Sequence, residues 1–212
     1  MTITNLVGAV TMAAGLLLGL VGCGTADATD GSGGGGEGGG TPGSGGAGGG
    51  APETPTCEAY CAAAMANCTG DHAVYVSADV CMAVCATMPI GAAADTTGNT
   101  VGCRTYHSGA AKMAPAEHCP HAGPGGAGFC GENCEGYCSL MLDACSGVFN
   151  GTTECMTACN QLKDQEPFSA NVKTGDTLQC RLYHASVATL DDVHCTHANI
   201  QSMPEFCGAP TN

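Results

Sequence analysis

The fold is decided by residues 57–85, which read CEAYCAAAMANCTGDHAVYVSADVCMAVC, and by residues 134–159, which read CEGYCSLMLDACSGVFNGTTECMTAC. Each segment contains two cysteine pairs of the form C-x3-C. Side chains four residues apart lie on one face of an α-helix, so each pair places two sulfurs one turn apart. The segments lack sustained alternation of β-branched and polar residues, and both are predicted to be helical.

The two segments open two copies of a longer pattern of eight cysteines. The gaps between cysteines are 3, 6, 12, 3, 17, 15 and 10 residues in the first copy, and 3, 6, 9, 3, 20, 14 and 11 in the second. Both copies end in Cys-Gly, at residues 130–131 and 207–208. A recurring cysteine order of this kind indicates an internal repeat. We define copy one as residues 57–131 and copy two as residues 132–212.

The predicted fold class is mainly α, with two tandem small disulfide-rich domains that each contain a helical hairpin and a third helix. The first helices are predicted over residues 57–68 and 134–145, and the third helices carry the Cys-Arg-x-Tyr-His blocks. Residues that favour helix N-termini set the starts. These starts are expected at or near Thr56, Ser77 and Asn99 in copy one, and Asn133, Thr152 and Asp176 in copy two.

The paired C-x3-C motifs resemble the twin C-x3-C hairpin of small Tim chaperones, over about 30 residues of each copy. This resemblance implies the hairpin and not the chaperone function. It implies four disulfides: Cys57–Cys85, Cys61–Cys81, Cys134–Cys159 and Cys138–Cys155. The partners of the other cysteines stay open at this point, because eight cysteines allow 105 connectivities. They are Cys68, Cys103, Cys119 and Cys130 in copy one, and Cys145, Cys180, Cys195 and Cys207 in copy two.

The N-terminal residues 6–22 are apolar or small except for Thr11, and they end in Leu20-Val21-Gly22-Cys23. This resembles the lipobox of bacterial lipoprotein signal peptides, although no Lys or Arg precedes it. The resemblance implies a signal peptide over residues 1–22 and a lipid on Cys23. Cys23 is also the odd cysteine of 17, and lipidation leaves an even number. An uncleaved membrane anchor is the alternative, but a span needs about 20 apolar residues.

Residues 23–56 are predicted to be a flexible lipidated tether. Between residues 31 and 50, 14 of 20 positions are glycine, and such a segment buries too little apolar surface to fold. We expect a disordered coil about 30 Å across. The chain resembles uncharacterised Cys-rich lipoproteins of Gram-negative bacteria with Gly-rich tethers. The residue after Cys23 is Gly24, whereas enteric lipoproteins that stay at the inner membrane have aspartate there. We therefore expect the protein to be anchored in the outer membrane, on its periplasmic or surface face.

The charge and cysteine content of the chain limit its partners. The formal net charge is -14, and only five Lys and Arg residues are present. Nucleic acid is therefore excluded as a partner, because phosphate contacts need many basic side chains. The expected partners are the membrane, through the N-terminal lipid, and an unknown protein or envelope component. Sixteen cysteines remaining after lipidation favour disulfides in an oxidising compartment over zinc–thiolate sites.

Each copy carries three histidines at equivalent positions. The first histidine trio is His107, His118 and His121, and the second is His184, His194 and His197. Three imidazoles can bind Zn²⁺ or Cu²⁺, which is one interpretation. The favoured interpretation is packing between the third helix and the loop that follows it, with ring nitrogens of a trio more than about 6 Å apart and no resident cofactor. His72 has no counterpart in copy two.

The remaining motifs favour a non-enzymatic function. The repeats lack the H-E-x-x-H, G-x-S-x-G and P-loop patterns, and we expect no catalytic residues. Arg104 and Arg181 recur, and we favour internal pairing of each over a carboxylate-binding role. Methionines at helical spacing favour a role as core filler over copper binding. The sequence thus predicts a lipid-anchored protein that presents two disulfide-stabilised binding or structural modules, with metal binding as the alternative.

Overall fold

The computed structural model describes residues 53–164 and 167–208. The predicted signal peptide, Cys23 and most of the predicted tether lie outside these residues. Copy one contains α1 (Cys57–Asn67), α2 (Ala78–Cys85), α3 (Val101–Ala110) and α4 (Pro115–Ala122), with a 3-10 turn at Gly70–His72. Copy two contains α5 (Asn133–Ala144), α6 (Thr152–Cys159), α7 (Leu178–Ala188) and α8 (His194–Ala198). The described part of the chain contains no strand, which confirms the helical fold class.

Helices α1, α2 and α3 in copy one and α7 in copy two begin where a side chain accepts a hydrogen bond from the first turn. The hydroxyls of Thr56 and Ser77 accept from backbone N–H groups three residues on, as predicted for α1 and α2. The third helices begin one residue later than predicted. Thr100 and Thr177 cap them, each accepting from the N–H of the following cysteine, Cys103 or Cys180, at 3.1 and 3.2 Å. A threonine hydroxyl satisfies an orphan N–H as well as Asn99 or Asp176 could.

The start of α5 also differs from the prediction. Asn133 is its first helical residue, and the cap is Glu132, which forms a capping box with Glu135. The Asn133 side chain instead connects neighbouring segments: its amide donates to Asp164, and its oxygen accepts from the Ala127 N–H.

The segments after the third helices are helical, and the prediction of loops there is wrong. α4 begins with Pro115, whose fixed φ and missing N–H suit the first position of a helix. α8 is its five-residue counterpart. These short segments have no apolar periodicity to mark them as helices. α4 packs against α3, and α8 packs against α7, so each copy has a second pair of adjacent helices.

Eight disulfides cross-link the described residues, and each lies within one copy. The hairpin bridges join Cys57 to Cys85, Cys61 to Cys81, Cys134 to Cys159 and Cys138 to Cys155, which are the pairs that the twin C-x3-C likeness implies. The other four join Cys68 to Cys119, Cys103 to Cys130, Cys145 to Cys195 and Cys180 to Cys207. Each bridge contributes about 2–4 kcal/mol, mainly by restricting the unfolded chain.

The core is built mainly from cysteine, alanine, valine, leucine and tyrosine, and two of its tyrosines are equivalent. Tyr60 on α1 and Tyr137 on α5 are fully buried. Their hydroxyls donate to the carbonyls of Ala122 and Ala198, which are the last residues of α4 and α8. Each tyrosine therefore ties the hairpin of its copy to the short fourth helix.

The two arginines are internal, as predicted. Arg104 and Arg181 are 0% and 1% exposed. The Arg104 guanidinium donates to the carbonyls of Gly123 and Pro124, just after α4, at 3.0 and 3.2 Å. Arg181 donates to Asp176 at 3.0 Å and to the Ile200 carbonyl at 3.3 Å. A cation that donates hydrogen bonds to carbonyls at the C-terminal end of a helix is favourable, so each arginine fixes its fourth helix relative to its third.

The copies share one apolar core, and the described residues belong to a single compact unit. The buried Phe168 and Ala170 of copy two meet Val74 and Tyr75 of copy one around a small apolar void. The Ala170 N–H donates to the Ala73 carbonyl at 2.6 Å. None of the described helices is long and apolar enough to cross a membrane.

Candidate metal centre

The first histidine trio is organised around His107 near the end of α3. Its ring is 4% exposed, and its Nε2 lies 3.1 Å from the backbone carbonyl of Thr96. A carbonyl only accepts, so Nε2 carries the hydrogen and donates it. The neutral ring then directs the lone pair of Nδ1 away from Thr96. Metal-binding histidines in proteins are commonly oriented by a hydrogen bond of this type.

His118 and His121 approach that lone pair from α4. They are three residues apart on the helix and therefore share one face. The Nδ1 atoms of His118 and His121 lie 3.0 and 3.3 Å from Nδ1 of His107. The expectation of dispersed rings is wrong here, because the supposed loop is a helix held against α3.

The second histidine trio repeats the arrangement in copy two. Nε2 of His184 donates to the Lys173 carbonyl at 3.0 Å, and its Nδ1 lies 2.7 Å from Nδ1 of His194. Nδ1 of His197 is buried and has no hydrogen-bond partner among the described residues. In each trio, one nitrogen from every ring lies within 4.8 Å of the other two.

These distances fit a single bound ion. Nitrogens at about 2.05 Å from one tetrahedral metal ion are roughly 3.3–3.4 Å apart. The two separations from His107 in copy one, 3.0 and 3.3 Å, are close to that value. The 2.7 Å separation in copy two is shorter, so His184 and His194 would move slightly apart around an ion. The residues present therefore fit a zinc or copper ion, which the three imidazole nitrogens of each trio would hold.

Burial favours the neutral form of four of the six imidazoles. Desolvation lowers the pKa of His107, His121 and His194 below the usual histidine value, and it lowers the pKa of His184 to about 4. Electrostatic repulsion between the rings of a trio, which opposes protonation of more than one of them, lowers the pKa of these four histidines further. Only neutral imidazole has a lone pair for a metal, so the environment maintains the ligand form at neutral pH.

Aromatic rings enclose each trio. Phe129 stacks on His121 with ring centroids 4.0 Å apart, and Phe206 stacks on His197 at 3.6 Å. The preceding tyrosines, Tyr106 and Tyr183, contact their neighbouring histidines edge-on. The sequence indicated the tyrosines but not the phenylalanines, although each of these directly precedes the last cysteine of its copy.

Other sequence candidates lie apart from the trios. His72 is in the 3-10 turn after α1 and belongs to neither trio. Met141 is fully buried, and Met65, Met82 and Met156 pack against the core, as core filler should. Met113 is the exception, since it is 88% exposed after α3.

Comparison with known proteins gives one family. Residues 53–133 match the family described as BfoA family C-terminal domain, and they cover copy one. No curated protein and no solved structure matches the chain significantly. The match and the eight disulfides fit a cysteine-rich protein.

Proposed function

We propose that each copy binds one zinc or copper ion through its histidine trio. The observation that carries this proposal is the convergence of three imidazole nitrogens, repeated in both copies, with separations close to those around one ion. The third-helix histidine of each trio, His107 or His184, is already oriented by a hydrogen bond to a backbone carbonyl. Such preorganisation lowers the cost of binding.

Hydrogen bonding between the rings is the competing explanation. It leaves the trio incompletely satisfied, because the single Nδ1 lone pair of His107 cannot accept a full hydrogen bond from both His118 and His121. In copy two, Nδ1 of His197 finds no partner among the described residues. One ion would use all three lone pairs at once, which favours a metal ligand role.

Titration of the mature protein with Zn²⁺ and with Cu²⁺, followed by calorimetry, tests the proposal. We expect two equivalents to bind, with one lost in His118→Ala, the other lost in His194→Ala, and both lost in the double variant. His72→Ala is the matched control and should keep both equivalents. Binding of neither metal, or binding that survives the double variant, would refute the proposal.

We propose the bacterial envelope as the setting. A lipid on Cys23 would anchor the protein in the outer membrane, and the glycine-rich segment would hold the copies away from the bilayer. The disulfide content supports this setting, because such bridges persist in oxidising compartments. The role is a non-enzymatic binding module for metal and for an envelope partner, not for nucleic acid.

A further inference from the structure

A disulfide lies beside the third-helix histidine of each trio, His107 in copy one and His184 in copy two. Cys103 precedes His107 by one turn of α3, and both sulfurs of the Cys103–Cys130 bridge lie within 4.8 Å of a ring nitrogen of His107. The arrangement recurs in copy two with Cys180, Cys207 and His184.

We propose that each of these groups is a second, latent metal site that forms when its disulfide is reduced. The ligands would be two thiolates and one imidazole: Cys103, Cys130 and His107, with Cys180, Cys207 and His184 in copy two. The inference rests on the proposed function only in that His107 and His184 serve both sets. Each histidine would thus bind metal with two other histidines, or with two cysteines, according to the redox state.

The chemistry balances with a thiol as the reductant. Two molecules of a small thiol reduce the bridge to two cysteine thiols and are themselves oxidised to one disulfide. Binding of Zn²⁺ then displaces the two thiol protons. Two thiolates neutralise the charge of the ion, which three imidazoles do not.

The geometry needs only a local change. Around a tetrahedral zinc ion, with Zn–S about 2.3 Å and Zn–N about 2.05 Å, sulfurs are roughly 3.8 Å apart and sulfur and nitrogen roughly 3.6 Å apart. The two sulfurs would have to separate from bonding distance. A ring nitrogen of the histidine already lies within 4.8 Å of both sulfurs. The three bridges that remain in each copy would preserve the fold.

Thiol–disulfide equilibrium of the full chain tests the proposal. The protein is equilibrated in glutathione redox buffers with and without Zn²⁺ and then quenched in acid. After unfolding with a chelator, free thiols are alkylated and assigned by mass spectrometry. At free Zn²⁺ about ten times the dissociation constant of the reduced site, the reduced-to-oxidised ratio of Cys103–Cys130 and Cys180–Cys207 should rise. The rise should reach roughly tenfold for Cys103–Cys130 in His118→Ala, where the histidine trio of the oxidised protein no longer competes for the ion. Cys57–Cys85 and Cys134–Cys159 are the control bridges and should not respond.

Two variants separate this inference from the proposed function. His118→Ala removes the histidine trio of copy one but retains His107, so the response of Cys103–Cys130 to Zn²⁺ should persist. His107→Ala should abolish that response while Cys180–Cys207 still responds. A response that is equal at all eight bridges, or absent in His118→Ala, would overturn the inference. The oxidised protein could still bind its two equivalents, so the proposed function would stand or fall on its own test.

Discussion

At the residue scale, single polar contacts position the fourth helices and, with them, the histidines. The Thr96 and Lys173 carbonyls select which nitrogen of His107 and His184 faces the trio. The buried hydroxyls of Tyr60 and Tyr137 then hold the ends of α4 and α8. None of these groups would bind the metal, yet they set the separation of the nitrogens that would.

The Tyr60 hydroxyl offers a test of this support. It bonds to the Ala122 carbonyl and lies 2.7 Å from the Tyr75 hydroxyl, with Tyr60 fully buried. Tyr60→Phe leaves those two groups without this partner, so we expect the free energy of unfolding to fall by about 1–3 kcal/mol. Denaturant unfolding with intact disulfides measures it. Tyr106→Phe, at a ring that is 49% exposed, is the control and should change stability little. Equal stability of both variants would contradict the assigned role.

At the element scale, a bound metal would connect the third and fourth helices of each copy. His107 is on α3, and the two other ligands of the first trio are on α4. The α1–α2 hairpin contributes no ligand and is held by its own two bridges. The effect of metal on local stability should therefore be confined to one half of each copy.

Hydrogen exchange measures that difference between elements. Zn²⁺ should slow amide exchange in α3 and α4, and in α7 and α8, more than in the C-x3-C hairpins, because only the former pairs are linked through the ion. His118→Ala should remove the effect in copy one and leave it in copy two. Uniform slowing across all eight helices would instead indicate a general stabilisation and argue against this location.

The hairpins and the six candidate histidines could be predicted from sequence, whereas the convergence of the histidine rings could not. Cysteines four residues apart lie on one helix face, so the C-x3-C pairs define two helices in each copy. The resemblance to the twin C-x3-C hairpin of small Tim chaperones then implies which cysteines form disulfides. The segment of His118 and His121 carries no apolar periodicity and contains Pro120. Its helix depends on tertiary contacts, from Arg104 and Tyr60 at its end and from the Cys68–Cys119 bridge. Convergence of the rings followed only from that packing.

At the scale of the whole molecule, the two copies have separate sets of disulfides but pack against each other. No described bridge links them, whereas apolar contacts around Phe168 and a hydrogen bond from Ala170 to Ala73 do. The sequence could reveal the repeat but not this interface, because the residues that form it lie in the diverged segments between cysteines.

Residues 52–131 and 132–212, produced separately under oxidising conditions, should each form their four bridges and fold. Each should also unfold at a lower temperature than in the full chain, because separation exposes the shared apolar surface. Disulfide mapping and thermal unfolding measure both. A mapped bridge between the copies in the full protein would contradict this organisation.

Membrane attachment is predicted to depend on one atom outside the described residues, the sulfur of Cys23. Cys23→Ala should move the protein from the membrane fraction to the soluble fraction, because Cys23 is the one residue predicted to carry a lipid. Mass spectrometry of the wild-type protein should find an acylated N-terminal Cys23. Cys23→Ser is a second variant of nearly equal size and should behave alike. Retention of Met1 in the membrane-bound protein would contradict lipidation.

The order of the bridges also determines how far the protein can be stretched. When tension is applied at the two ends of copy one, the shortest covalent route crosses Cys57–Cys85, follows the 17 residues between Cys85 and Cys103, and leaves through Cys103–Cys130. At about 3.5 Å per residue, and with the two bridges included, that route extends to only roughly 75 Å, and most of the contour length of copy one is excluded from the loaded path. A protein built in this way stays short under tension, and opening Cys103–Cys130 alone would add only about 10 Å, because the shortest route would then run through Cys68–Cys119.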